Sequence, residues 1–464
     1  MSTLGEDRLL SLLQGALAAA RAAGASEAEA SYEGGALGVT RFANSYVTQA
    51  GTVVEGRVRV RAAIGDRVGA ASTSVVDPAG LAEAAQLAVE IARHRRPVEA
   101  FAGFARPDPG RPMLARARFV EATAAVDPRQ HAVRLQRMFA RAARDRLLCA
   151  GALHTGPTEL AVATTGGVAR HLICSEALLE LVVLDGTSSG YSVFYGPDLA
   201  ALDDAMLADD ACRAAVRGRK VVEVDPGPMD VVLAPAAVAE ALEWMALTSF
   251  SGRALLDGAS LLSGKKAGEA LCSAEITIRD DGGHEHPQAL PLPFDTEGIT
   301  RLPVTFIDRG RPGTVITDLA TSRKLQDPRG STGHAPAVTD DTSEGPMAAN
   351  LVMEPGDASL ETLLSRVERG LYVTRFHYVN GYLDPRTATM TGMTRDGTFV
   401  IQDGKLGAAV PNLRWTESFL EALGRLGGIG STLSCIPSRW TSSTGSILCP
   451  PLLLRGFRFT GRSR

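Results

Sequence analysis

Aromatic residues make up only 5% of the 464-residue chain, so much of its interior has to be filled by alanine, glycine and aliphatic side chains. Cysteine is sparse and scattered. The six thiols, at Cys149, Cys174, Cys212, Cys272, Cys435 and Cys449, form no CxxC pair, a pattern that fits reduced thiols in a cytoplasm better than a disulfide framework. No apolar run reaches the roughly 18 residues of a membrane span. The N-terminus, MSTLGEDRLLSLLQG, places acids before its apolar run and lacks the basic start and small-residue cleavage site of a secretory signal. Nor is there an excess of positive charge. A net charge of −4 gives no electrostatic reason to expect direct binding of nucleic acid, because neutralising phosphates needs clustered lysine and arginine.

What is present describes a globular protein: 45% hydrophobic and 22% charged residues with a mean hydropathy of +0.03. The length suffices for two or three cores, since single cores stop growing near roughly 250–300 residues. Leu9, Leu13, Ala16, Leu17 and Ala20 recur at helical spacing before Gly24. Strands follow, in which Val58 and Val60 alternate with Arg57, Arg59 and Arg61, reading as a sheet with one face inward and a basic face outward. Asp77-Pro78 opens a second helix. Residues 96–128 carry a proline-rich stretch without sustained period and read as a linker. A helix from Pro128 to Arg144 presents Arg134, Arg137, Arg141 and Arg144 on the side away from its apolar stripe, which reads as a solvated face. Segments starting at Gly65 and Gly186 echo each other as turn, strand and Asp-led alanine-rich helix, a duplicated unit. The fold class expected is α+β. An N-terminal α/β domain over 1–95, the linker over 96–128 and a central α/β domain over 129–224 precede an antiparallel, barrel-like β-rich domain over 225–464. In that last domain Asn380-Gly381, Asp396-Gly397 and Asp403-Gly404 read as hairpin turns, and one helix is expected over about 359–369 with Gly370 as its cap.

The chemistry centres on residues 230–281. A short strand at Val231–Leu233 leads into a helix opened by Pro235, with Val238, Ala241, Leu242 and Met245 on one face and Glu240 and Glu243 pointing elsewhere. A glycine-rich loop and a strand carrying Ile276 and Ile278 follow. Other motifs fail their context tests. GTSSG, from Gly186, matches a nucleophile elbow, but strand-like sequence follows it where the elbow needs a helix. GASLLSGKK, from Gly258, has one residue too many between its glycines for a phosphate loop, and Lys266 stands where Ser or Thr would hold magnesium. His284 and His286, with Cys272 upstream, form the local cluster of metal-type ligands, and Cys435 is a distant thiol candidate. Pro287 and the polar flanks favour a surface loop for the two histidines, and the surroundings of Cys435 favour a buried free thiol.

GVTRFANSYVTQAG (from Gly38), DGASLLSGKKAGEALCSAEITIRDD, PFDTEGI, VERGLYV and TGMTRDGTFVIQDGKLG, in this order, resemble the TldD/PmbA family over nearly the whole chain. Catalytic members carry HExxxH on the helix that starts here at Pro235, and a cysteine near the C-terminus completes their zinc site. This helix offers Glu243 and Trp244 instead, and no histidine lies between His171 and His284. The chain therefore resembles the TldE/PmbA branch. The resemblance implies a cytoplasmic subunit with no catalytic or cofactor-binding residues of its own, paired with a zinc-bearing TldD-like subunit or self-associating, in proteolysis of unfolded or short peptides. The charge balance and the lack of a spanning apolar run add the expectation of no direct contact with nucleic acid or membrane. The alternatives are a stand-alone peptide-binding or regulatory protein, and a metallohydrolase with a non-standard set of His284, His286 and Cys435.

Overall fold

In the computed structural model the described residues are 3–99, 101–113, 116–186, 188–336, 345–439 and 445–462. The first half repeats one order, helix, three strands, helix. α1 (Glu6–Ala22), β1 (Glu27–Ala43), β2 (Tyr46–Ile64), β3 (Arg67–Thr73) and α2 (Pro78–His94) come first. After a short α3 (Glu121–Ala124), the order recurs as α4 (Pro128–Arg144), β4 (Leu148–Thr164), β5 (Ala169–Asp185), β6 (Ser188–Gly196) and α5 (Asp204–Arg217). The six strands form one antiparallel sheet ordered β3-β2-β1-β4-β5-β6, so the central pair, β1 against β4, joins the two repeats. Local chemistry sets the helix starts. Asp77 and Asp127 each accept a backbone N–H ahead of a proline in the first turn, and Asp203 accepts from Ala205 and Met206.

Two sequence expectations about charge are corrected here. Arg59 is 4% exposed, and the Arg61 guanidinium lies between Glu29 (3.1 Å) and Glu297 (3.2 Å) with its carbon 5.1 Å above the Phe104 ring. At Arg59 and Arg61 the arginine-bearing face of β2 is thus covered, Arg61 in part by Glu297 from the second half of the chain, whereas Arg57 is exposed as the sequence suggests. The arginine stripe of α4 is likewise not simply solvated. Arg134 and Arg137 both reach Asp204, at 2.8 and 3.4 Å, and Arg141 pairs with Asp209 and Asp145, which zips α4 onto α5.

The second half contains a closed barrel. β7 (Pro228–Leu233) leads to α6 (Pro235–Ser249), α7 (Gly252–Leu256), β8 (Ile278–Asp280), β9 (Val304–Asp308), β10 (Arg311–Pro312), α8 (Leu319–Lys324), β11 (Asn350–Met353) and α9 (Leu360–Ser365). Then come β12 (Arg369–Asp384), β13 (Thr389–Gln402), β14 (Lys405–Ala409), β15 (Leu413–Ser418), α10 (Phe419–Gly424), β16 (Leu426–Ile429), β17 (Ser434–Pro437), β18 (Ser446–Cys449) and β19 (Leu452–Arg462). The staves run β12-β7-β19-β15-β13, and β13 pairs back onto β12, which leaves the ring without an edge. Side chains alternate along the staves. Val231, Leu233, Leu452 and Leu454 join the main core with α6, whereas Val232, Leu453 and Ile401 pack with Leu363, Leu364 and Val367 beside α9. A second sheet, β10-β9-β8-β11-β18-β17, lies alongside.

The α+β class and the barrel-like second half agree with the sequence expectation, but three local readings do not. The expected helix stops at Ser365, and Gly370 sits inside β12 opposite Asp230, where a Cβ would meet the Asp230 carbonyl oxygen at 2.4 Å. That glycine permits a close strand approach and caps nothing. Asn380-Gly381 and Asp396-Gly397 lie within β12 and β13, where register shifts between Val373/Arg375 and His377/Asn380 and positive φ at Tyr378 (51°) and Asp396 (52°) mark bulges. Asp403-Gly404 does form the turn between β13 and β14. Among the described residues no helix is long and apolar enough to cross a membrane.

Candidate functional site

α6 is buried nearly all round, with Ala237, Val238, Ala239, Ala241, Leu242, Trp244, Met245 and Ala246 packed away from solvent. Such a helix is an internal strut and not a surface amphipathic one. Glu243 is therefore the unusual residue. It is 5% exposed, and one carboxylate oxygen accepts both the Ser438 hydroxyl and the Arg439 backbone N–H, the latter at 2.6 Å. A buried charged acceptor held by two donors makes a strong tie. It fastens the segment after β17 to the middle of α6.

The Arg439 side chain extends the tie outward. Its Nη2 donates to Glu180 of β5 at 3.1 Å, and its Nε lies 3.8 Å from Glu240. Burial pushes the Glu240 carboxyl up, against the pull of Arg439. Glu180 also accepts the Tyr191 hydroxyl at 3.1 Å, the Arg375 guanidinium stacks 4.3 Å over the Tyr191 ring, and Arg375 pairs with Asp396, which accepts the Ser189 hydroxyl at 2.6 Å. The network thus crosses from barrel to N-terminal sheet. The space left among these groups is ≈ 20 Å³, room for about one water and no more.

The HExxxH spacing counted from Glu243 puts Glu243, Trp244 and Thr248 at the motif positions, and the Thr248 hydroxyl donates to the Trp244 carbonyl at 2.8 Å. Zinc needs imidazole or thiolate donors and an open position for water. One engaged carboxylate, an indole and an engaged hydroxyl do not fit it. Among the described residues no group of three or more His, Cys, Asp or Glu side chains is placed to hold a metal ion.

The sequence-derived ligand candidates lie elsewhere. His284 and His286 sit in a loop with ring centroids 6.5 Å apart, and each Nδ1 accepts a backbone N–H two residues on, from His286 (3.1 Å) and Gln288 (3.3 Å). Arg118 donates to the carbonyls of His286 (2.5 Å) and Ala289 (3.3 Å), placing a fixed cation beside the loop. Burial, then the neighbouring His284 and Arg118, lower the His286 pKa. Cys435 of β17 comes to the same loop, but as a buried thiol donating to the Gln288 carbonyl at 3.3 Å, its pKa pushed up by burial. Gly186 lies in the tight turn between β5 and β6, with strand and no helix after it. Sequence reasoning missed Ser189, Tyr191, Glu180, Arg375, Asp396 and Arg439. The one available signal was a pair of glutamates, Glu240 and Glu243, on an otherwise largely apolar helix.

The PmbA/TldA metallopeptidase C-terminal domain model matches residues 226–461, and the domain 1 model of the same family matches 28–92. The chain belongs to the PmbA/TldD family. Curated relatives include a metalloprotease from Methanothermobacter thermautotrophicus, 26% identical over 219 residues, and a metalloprotease TldD homolog from Buchnera aphidicola, 25% identical over 169 residues. These matches span 47% and 36% of this PmbA/TldD chain, and 46% and 33% of the relatives' own lengths. Among solved structures, TldE from Thermococcus kodakarensis superposes with a TM-score of 0.85 at 19% identity, covering 97% of this chain and 100% of that one. A DNA-gyrase-modulator candidate from Thermotoga maritima gives 0.79 at 18% identity, covering 97% and 99%. At these identities the likeness establishes the fold.

Proposed function

We propose that this PmbA/TldD chain is a TldE-like, non-catalytic cytoplasmic subunit that pairs with a zinc-bearing TldD-type partner, on which unfolded or short peptides are cleaved. The observation that carries the reading is Glu243. On the helix where catalytic members of the family resemblance place their metal ligands, this chain has a carboxylate already engaged by Ser438 and Arg439 in a space of ≈ 20 Å³. That arrangement supports a structural or substrate-guiding part in the complex.

A peptide-facing surface is available on the N-terminal sheet. Residues 58–64 of β2 pair with β3, whereas residues 46–57 pair among the described residues with β1 alone, leaving one strand edge open. Tyr46, Val53 and Val54 are 58%, 46% and 58% exposed along it. A groove of ≈ 800 Å³ lies alongside, walled by Arg41, Glu55, His154 and Glu176. An open edge accepts an extended chain through main-chain hydrogen bonds, which selects for unfolded peptides and not folded proteins. The same edge keeps a second reading in play, a stand-alone peptide-binding module.

Mixing the purified chain with a zinc-bearing family homologue tests the proposal, with size-exclusion chromatography and cleavage of an unstructured reporter peptide as readouts. A hetero-complex with altered cleavage supports it, whereas self-association alone with peptide binding favours the stand-alone reading. Stoichiometric zinc in this chain alone, with chelator-sensitive hydrolysis, would overturn both and restore the His284, His286 and Cys435 alternative.

A further inference from the structure

A recess of ≈ 200 Å³ opens where residues 106–111, the start of β5 and the C-terminal loops at 298–300 and 329–331 meet, and four arginines line it: Arg106, Arg111, Arg170 and Arg329. Three of them are matched. Arg106 pairs with Glu27 at 3.0 Å, and Arg329 with Asp327 at 2.6 Å. Arg111 lies 3.9 Å from Asp108 and donates to the carbonyls of Ser331 (2.6 Å) and Arg329 (2.7 Å). The Arg170 side chain, on a partly buried residue whose backbone lies in the β4–β5 ladder, has no hydrogen-bond or ion-pair partner among the described residues. The recess therefore holds one guanidinium more than its carboxylates offset, at a half-buried position.

We infer that this recess binds a phosphate-sized oxyanion, with Arg170 as its principal contact. The planar fork of a guanidinium matches tetrahedral and carboxylate oxyanions alike. The volume falls below the roughly 300–1,000 Å³ of organic-ligand pockets, which restricts the occupant to a small anion or the terminal group of a chain. Bound there, it would join the proline-rich segment to both halves of the molecule. This inference stands independently of the partner assignment.

Isothermal titration of the full chain with inorganic phosphate, at constant ionic strength in chloride, tests it. N-acetylglycine and N-acetylglycinamide form a second arm. Saturable one-site binding of phosphate alone points to a free anion, and binding of N-acetylglycine but not its amide points to a peptide carboxylate; both support the inference. Arg170→Gln should weaken binding at least about tenfold, equivalent to ~1.4 kcal/mol. Arg170→Lys, which keeps the charge and loses the fork, should fall between, and it decides the matter if Arg170→Gln unfolds. Arg144→Gln, an exposed arginine of α4 away from this recess, should change nothing. No saturable binding by either probe, or equal weakening by Arg170→Gln and Arg144→Gln, overturns the inference.

Discussion

Replacing Glu243 with alanine removes the shared acceptor of the Ser438 hydroxyl and the Arg439 N–H; the carboxylate is buried, whereas Ser438 is half-buried and Arg439 exposed. Hydrogen bonds to a charged group contribute about 1.5–3 kcal/mol each, but the two share one oxygen, and deleting the carboxylate also relieves the cost of burying it. The net loss should be about 2–4 kcal/mol. For a cooperative unit of the size of residues 226–461, roughly 2–4 °C per kcal/mol applies, so the thermal midpoint should drop by about 4–16 °C. Glu243→Gln keeps one acceptor oxygen and the shape, and should lose about 1 kcal/mol. Differential scanning calorimetry gives the midpoint. Hydrogen exchange should show β17 losing protection before the barrel staves do, because its tie to α6 is the bond removed. An alanine variant within about 0.5 kcal/mol of wild type, with β17 protection unchanged, would refute the reasoning.

Three other outcomes follow from geometry already described. His131 is fully buried between Thr40 and Thr155, each at 2.9 Å, and burial lowers its pKa to about 4. The unfolded chain then binds the extra proton between pH 4 and the ordinary value near 6.5, so stability should rise with pH across that window by up to about 3 kcal/mol. His131→Gln should flatten the denaturant-derived stability profile there. Asp204→Ala leaves Arg134 and Arg137 without their shared carboxylate on α5 and should cost about 1–2 kcal/mol in urea denaturation, less at high salt. Gly381→Ala sets a Cβ 2.8 Å from the Trp244 ring and 3.1 Å from its Cβ; overpacking of this kind costs about 1–3 kcal/mol, seen as a lower thermal midpoint.

Where period and punctuation coincide, the chain was legible from its residues. The stripe from Leu9 to Ala20, the helix starts at Asp77-Pro78 and at Pro128, and the paired echo from Gly65 and Gly186 all correspond to elements of the fold. The failures share a cause, which is that partners distant in sequence reassign a local signal. Asn380-Gly381 and Asp396-Gly397 have turn chemistry, yet long barrel staves absorb them as bulges. Arg59 and Arg61 alternate as a wet face would, yet acids near residue 297 and a second layer cover them. At the site the missing imidazoles were readable, whereas Glu243 meeting residues 438 and 439 joins positions nearly two hundred apart, and no local pattern carries that. Arg439, Glu180 and Asp396 come from three different sheets or loops for the same reason.

The sheet that unites the two N-terminal repeats has a further consequence for how this chain comes apart. Because β1 and β4 are zipped along most of their lengths at the centre of one sheet, a protease that nicks the proline-rich stretch near residues 107–112 would sever the polypeptide without freeing a fragment. The two pieces should co-elute until denaturant is added, and neither repeat, expressed alone, should remain soluble with its half of that seam laid bare.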